Sequence, residues 1–150
     1  MNVIDYYSSD RWEYWLEEIG KSDWSAGQFL HKLIKNGELQ NFIGENAKIL
    51  LLVEGDELIS FCTLAEKDDI QPTDLTPWIG FVYTFPKRRG QHCFGKLLEE
   101  IAKLAKAENI GQAYISTNHI GLYEKYGCEF YGTMTAIDGE QSRVYIKHFD

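Results

Sequence analysis

The residues whose types could do chemistry are densest between positions 78 and 127. An apolar run, Trp78-Ile79-Gly80-Phe81-Val82-Tyr83-Thr84, leads into the basic turn Pro86-Lys87-Arg88-Arg89-Gly90-Gln91-His92-Cys93-Phe94-Gly95-Lys96. The run reads as a strand. Phe94, Leu97, Leu98, Ile101, Leu104 and Ala105 then trace one stripe, which predicts a helix over residues 91–108. The first turn of a helix presents free N–H groups and the positive end of the dipole. Gly90 and Gly95 lower the barrier to a ligand approaching the backbone, and Arg88, Arg89 and Lys96 add charge. A pyrophosphate suits such a site. A solvated basic turn is written with the same residues, so this motif alone leaves both readings open. A second strand at Gln112-Ala113-Tyr114-Ile115-Ser116 closes a βαβ unit. Asn118, His119 and Tyr123 follow it. An unperturbed imidazole titrates near neutrality, and a phenol is a proton donor that stays neutral at pH 7.

The elements that must position these residues are legible by period. Trp12, Trp15, Leu16 and Ile19 predict a helix behind an Asp10–Glu13 capping box. Phe29, Leu30, Leu33 and Ile34 predict a second helix behind Ser25–Gln28, stopped at Gly37. Ala47 to Val53 and Leu58 to Leu64 read as a hairpin turned at Gly55-Asp56. Residues 66–77 are charged, carry two prolines and read as a loop. A short helix precedes Gly127. Strands at Cys128–Thr135 and Arg143–Lys147, turned at Asp138-Gly139, end the chain. The order predicts an α+β fold: one mixed sheet with helices on its faces, in three layers. The 150 residues suit a single domain spanning 1–150, with 44% hydrophobic and 14% aromatic content enough for a core of its own.

Composition also excludes. A net charge of −8 disfavours general nucleic-acid binding, which needs clustered Lys and Arg. No apolar run approaches the ~20 residues of a membrane span. The cysteines, Cys62, Cys93 and Cys128, have neither zinc-site nor disulfide spacing, and His31, His92 and His148 show no metal-ligand spacing, so no metal is expected. A reducing, cytoplasmic compartment is the simplest expectation.

The block over residues 78–130 resembles the GNAT superfamily of N-acetyltransferases. Thr84-Phe85-Pro86 is similar to the family's strand exit. Arg89-Gly90 and Gly95-Lys96-Leu97-Leu98 are similar to its turn and helix start. Leu122-Tyr123-Glu124-Lys125-Tyr126-Gly127-Cys128-Glu129-Phe130 is similar to its later segment. The resemblance implies an acyl-CoA N-acyltransferase fold and direct transfer of acetyl from acetyl-CoA to a primary amine of a small molecule or peptide. It implies that Val82 and Thr84 hold the pantetheine arm through backbone groups, that Arg89, Gly90, Gln91, Gly95 and Lys96 hold the pyrophosphate, that Asn118 contacts the coenzyme, and that Tyr123 is the general acid for the departing thiolate.

Three positions depart from the family's pattern. Cys93 stands where its second glycine falls. Asn118 lies five residues before Tyr123 rather than seven, where Ser116 stands, and Asn118 also reads as a helix N-cap. Neither central strand carries an acid. His119 is the nearest candidate base, with an ordinary first-turn residue as its other reading. Asp74 and Glu140 sit on loops expected to border the acceptor side, with solvated surface acids as their other reading. Cys93 as a nucleophile is disfavoured because direct transfer needs no acyl-cysteine. The tryptophans Trp12, Trp15 and Trp24 suit the lining of an acceptor pocket or the core, and core is the commoner outcome for such a stripe. A non-catalytic acyl-CoA-binding or sensor module is the alternative function, and a homodimer stays open. A P-loop protein is disfavoured because the turn lacks Gly-Lys-Ser/Thr.

Overall fold

The computed structural model describes all 150 residues. Its seven strands are β1 (Asn2–Asp5), β2 (Lys48–Glu54), β3 (Glu57–Ala65), β4 (Trp78–Thr84), β5 (Gln112–Ser116), β6 (Glu129–Thr135) and β7 (Gln141–His148). Its helices are α1 (Trp12–Ile19), α2 (Ser25–Lys35), α3 (Leu39–Ile43) and α4 (Cys93–Ala107). The sheet order is β1-β2-β3-β4-β5-β7-β6. All neighbours pair antiparallel except β4 and β5, which are joined by the α4 crossover and run parallel. The mixed sheet with helices on both faces matches the α+β expectation.

Alternation along the strands divides the core. Leu50, Leu52, Ile79 and Ile115 face α4, whose Leu97 and Ile101 are wholly buried on them. Ile49, Leu51, Phe61 and Tyr83 face the other way, under α1, α2 and α3. On that second face, beyond β4, a separate small cluster of Ile70, Trp78, Tyr114 and Val144 is covered by the loop 66–77. No helix is long and apolar enough to cross a membrane.

Two local expectations are corrected. The capping boxes do not form. Helix α1 is capped by Arg11 and α2 by Trp24, neither with a side-chain bond. Gln28 does not reach back to Ser25; its Nε2 donates to the carbonyls of Gly20 and Ser22 and so braces the α1–α2 turn instead. Strand β1 and the short helix α3 are additional elements. β1 pairs with β2 from Asn2↔Val53 to Asp5↔Leu50, and its four residues are too few to show a period.

Candidate active site

The site begins where β4 and β5 part. They share one paired position, Trp78↔Tyr114. Beyond it, β4 has a partner only on its β3 side, where the register slips between Phe61 and Thr63. Thr63 faces Gly80 and Phe61 faces Tyr83, so β4 carries one extra residue there, a bulge. Phe81 takes up the strain at φ 49°, a conformation that an aromatic residue adopts only when its surroundings impose it. The bulge turns the strand away from β5 and leaves a V-shaped gap with unpaired backbone on one side.

A cavity of about 720 Å³ opens from this gap towards α4. It is lined by Val82, Tyr83 and Thr84 of β4, by Arg88, Arg89, Gly90, His92, Cys93 and Phe94 at the turn into α4, and by Tyr123, Lys125 and Tyr126. None of the backbone N–H groups from Gly90 to Phe94 donates to another backbone group. They sit at the start of a 15-residue helix. Successive free donors at the positive end of a helix dipole make an anion cradle. The left-handed backbone that shapes the turn falls on Gly90 at φ 83° and on His92 at φ 56°.

Cys93 therefore does not occupy the strained position of the turn. It is the first helical residue, buried to 3%, with its Sγ pointing back at the Arg88 carbonyl at 3.6 Å. Burial pushes its thiol pKa up, so it packs rather than reacts.

A second cavity of about 370 Å³ lies across the gap. Trp24, Val82, His119 and Tyr123 line both. Gly80, Phe81, Ser116, Thr117 and Asn118 line the second alone. Tyr123 opens a 3₁₀ turn, Tyr123–Tyr126. Its ring is held edge-on by Phe94 at 5.2 Å and its side chain is buried to 5%. Burial, with Cys62 and Cys128 nearby, pushes its pKa above the ordinary phenol range, which keeps the proton on the oxygen. His119 is exposed at the junction of the two cavities.

The expected site residues divide. Val82, Thr84, Arg89 and Gly90 line the first cavity. Gln91, Gly95 and Lys96 do not. Gln91 is exposed before the helix and accepts weakly from Arg88 at 3.5 Å. Lys96 is exposed on α4. Gly95 answers to packing: a Cβ there would lie 3.2 Å from the Tyr126 ring. Asn118 lines the second cavity, and its Oδ1 accepts from the Arg143 amide at 3.3 Å, so it is a tie to β7 and not a helix cap. Arg88 is spent elsewhere, donating to Glu54 at 2.8 Å and to Glu57 at 2.6 Å.

Several lining residues carried no signal as site residues. Trp24 is not interior core; it stacks on Tyr83 at 5.7 Å with a 7° interplanar angle. The Tyr83 hydroxyl donates to Asp23 at 2.5 Å, and the Arg89 guanidinium lies over the Tyr83 ring, its Nε donating to the Thr84 carbonyl at 3.0 Å. The α1–α2 turn is thus fastened to β4. Lys125 is the added cation of the first cavity. Asp74 and Glu140 line neither cavity and are exposed. A free strand edge, a cluster of amides at a helix start and a phenol at the gap together suit an extended ligand with an anionic group, next to a proton donor.

Residues 7–128 match the family model described as the acetyltransferase (GNAT) family. The chain belongs to that family. None of the curated proteins matches it in sequence. Among solved structures, an acetyltransferase from Streptococcus agalactiae 2603 superimposes with a TM-score of 0.64 at 20% identity, over 99% of this chain and 98% of that one. An aminoglycoside 6'-N-acetyltransferase from Enterococcus faecium gives 0.66 at 11% identity, covering 99% and 97%. An aminoglycoside 6'-N-acetyltransferase complexed with coenzyme A gives 0.69 at 12%, covering 99% and 97%. At these identities the likeness is one of fold.

Proposed function

We propose that this GNAT-family acetyltransferase moves an acetyl group from acetyl-CoA to a primary amine. The observation that carries this reading is the pair of cavities meeting at Tyr123 where β4 leaves β5. The first fits the coenzyme. Its free amides from Gly90 to Phe94 suit a pyrophosphate, and the unpaired edge of β4 suits the pantetheine arm as an added strand. Lys125 and Arg89 supply charge at the mouth. A relative in fold, an aminoglycoside 6'-N-acetyltransferase, is known in complex with coenzyme A, which supports coenzyme A as the ligand.

Acetyl-CoA, once bound, supplies a thioester at the gap. The chain's own groups do the rest. The β4 backbone at the bulge around Phe81 and Val82, unpaired towards β5, would supply N–H groups to polarise the thioester carbonyl. Tyr123 holds a proton for the departing sulfur. Its raised pKa makes it a poor free acid towards a thiolate, whose ordinary pKa is about 8.5. It therefore acts as a relay, giving its proton as it takes one from the nitrogen. His119, at the junction, is a second proton-handling group in reach of the amine. The second cavity takes the acceptor, and a chain of net charge −8 favours a cationic one.

The test has two stages. Titration calorimetry with acetyl-CoA is expected to show one site. Thiol release is then followed over a panel of spermidine, kanamycin and lysine amides. Binding without release from any amine would make the chain an acyl-CoA-binding module and overturn the enzymatic reading.

A further inference from the structure

The second face of the sheet carries a polar seam between its two apolar clusters. Thr63 on β3, Gly80 on β4, Ser116 on β5 and Ser142 on β7 share that face. Their neighbours two residues on or back, Ala65, Trp78, Tyr114 and Val144, all belong to the clusters of that side. The loop 66–77 lowers two carboxyl groups into the seam. Asp68 is buried to 8%. Its Oδ1 lies 2.1 Å from the position that a Cβ on Gly80 would take, so the carboxyl fills the place of a β4 side chain. Gly80 itself lines the acceptor cavity.

Asp69 adjoins Asp68 and lies beside Ser116, another lining residue. The Ser116 hydroxyl is 2.7 Å from that of Ser142. A line of polar groups thus runs from the cavity wall at Ser116 to Asp69 and Asp68. Two buried oxygens in the seam lack partners, Oγ1 of Thr63, which is buried to 1%, and Oδ1 of Asp69. No ion pair of the structure involves either carboxyl.

We propose that the Asp68–Asp69 carboxyl pair, reached from the acceptor cavity through Ser116, takes the proton that the acceptor ammonium must lose before it attacks. This rests on the amine-acetylation reading and assigns it a proton acceptor. An N–H bond of the ammonium breaks and an O–H bond forms on the pair. The electron pair left on nitrogen makes the bond to the acetyl carbon. The C–S bond breaks, its electrons leave with sulfur, and sulfur takes the proton from Tyr123. Tyr123 recovers one from the nitrogen, and the pair later returns its proton to water. Ser116 is the contact with the cavity, and the two aspartates act through it.

The surroundings suit the role. Burial, then the charge of Asp69, pushes Asp68 up to about 7. Burial also raises Asp69, and the charge of Asp138 at the β6–β7 turn adds to this, while the bonds from Ser116 and Asp68 oppose it. The groups facing the pair are therefore Gly80 from β4, Ser116 from β5 and Asp138 from the far hairpin, none of them a cation. Such a pair titrates as a unit near the working pH, where a base is most effective.

Asp68→Asn keeps the shape and removes the charge. With whichever amine of the panel turns over, kcat/KM at pH 7 is expected to fall about 100-fold, the acidic limb of the wild-type pH profile to vanish, and the acetyl-CoA Kd to stay within about twofold. Ser116→Ala is expected to weaken the same limb. A wild-type limb retained in Asp68→Asn overturns the proposal. A readout that needs no turnover decides it independently. Carboxyl carbon NMR is expected to show one aspartate signal titrating near neutrality in the wild type and absent in Asp68→Asn. Aspartates all ionised from pH 5 to 8 overturn it. Acetyl-CoA binding with no thiol release from any amine overturns the enzymatic function, and with it the catalytic role of the pair. The NMR titration then still distinguishes a buried, protonated pair from two ionised carboxylates.

Discussion

The two walls of the gap are made of different material. The side proposed for the coenzyme is backbone: the free edge of β4 and the unbonded amides from Gly90 to Phe94 at the start of α4. The side proposed for the acceptor draws on side chains delivered by loops: Trp24 from the α1–α2 turn and Asn118 and His119 after β5, with Asp68 of the loop 66–77 packed behind Gly80. Backbone recognition depends on geometry that many sequences share. Side-chain recognition depends on identities that a loop is free to change.

Substitutions can break that division or sharpen it. The largest effect is expected where the walls meet. Tyr123→Phe keeps the ring contact with Phe94 and removes the proton, so kcat is expected to fall about 100-fold with acetyl-CoA affinity nearly unchanged by calorimetry. Unchanged turnover would remove Tyr123 from the proton path. Next comes the acceptor wall alone. Gly80→Ala puts a methyl 2.7 Å from Cγ of Asp68, and the carboxyl must move. A loss of about 10-fold in kcat/KM for the amine, with the coenzyme Kd intact, is expected from steady-state kinetics and calorimetry. An equal loss on both sides would show that the walls are not separable.

The coenzyme wall should respond in the opposite sense. Gly90→Ala forces an L-residue to φ 83°, at a cost of about 1–2 kcal/mol. A several-fold weaker acetyl-CoA Kd with little change in the amine KM is expected. The smallest effect is assigned to Arg88, whose charge is already shared between Glu54 and Glu57. Arg88→Gln is expected to leave the Kd within about twofold and to change stability little, as loss of an exposed pair usually does. A tenfold loss of affinity would return Arg88 to the phosphate site.

Solution pH tests the acceptor wall without any ligand. In the folded chain Asp68 holds its proton to about pH 7, against an ordinary value of 3.8. The native state therefore binds more protons than the unfolded state between those values, and this group's contribution to stability falls as pH rises from about 4 to about 7. Denaturant melts of the wild type and Asp68→Asn are expected to diverge in slope across that window. Parallel curves would show that Asp68 ionises freely.

Much of this division was readable in the chain itself. The stripe from Phe94 to Ala105 placed α4, and the residues of the later segment placed Tyr123, because helix period and backbone-shaping turns are local properties. Arg88 and Lys96 misled, since a charge gives no hint of the partner that will claim it. Asp68 and Asp69 were hidden for the converse reason. Two acids in a charged, proline-bearing loop look solvated, and only the bare face of Gly80, far from any local pattern, gives Asp68 a place to be buried, with Asp69 half-buried beside it. Trp24 fits an apolar stripe on paper, yet its ring turns across to Tyr83. Register and loop closure are long-range facts, and the acceptor wall is built almost wholly from them.

The amides from Gly90 to Phe94 have a kinetic consequence. With no carbonyl to hold them, their hydrogens are open to exchange with solvent, while the interior of α4 exchanges only when the helix opens. One stretch of chain thus changes from fast to slow exchange over a single turn. An anion seated on the fast side would slow it, so hydrogen–deuterium exchange across residues 90–98 reads occupancy directly, amide by amide, without a label or a turnover event.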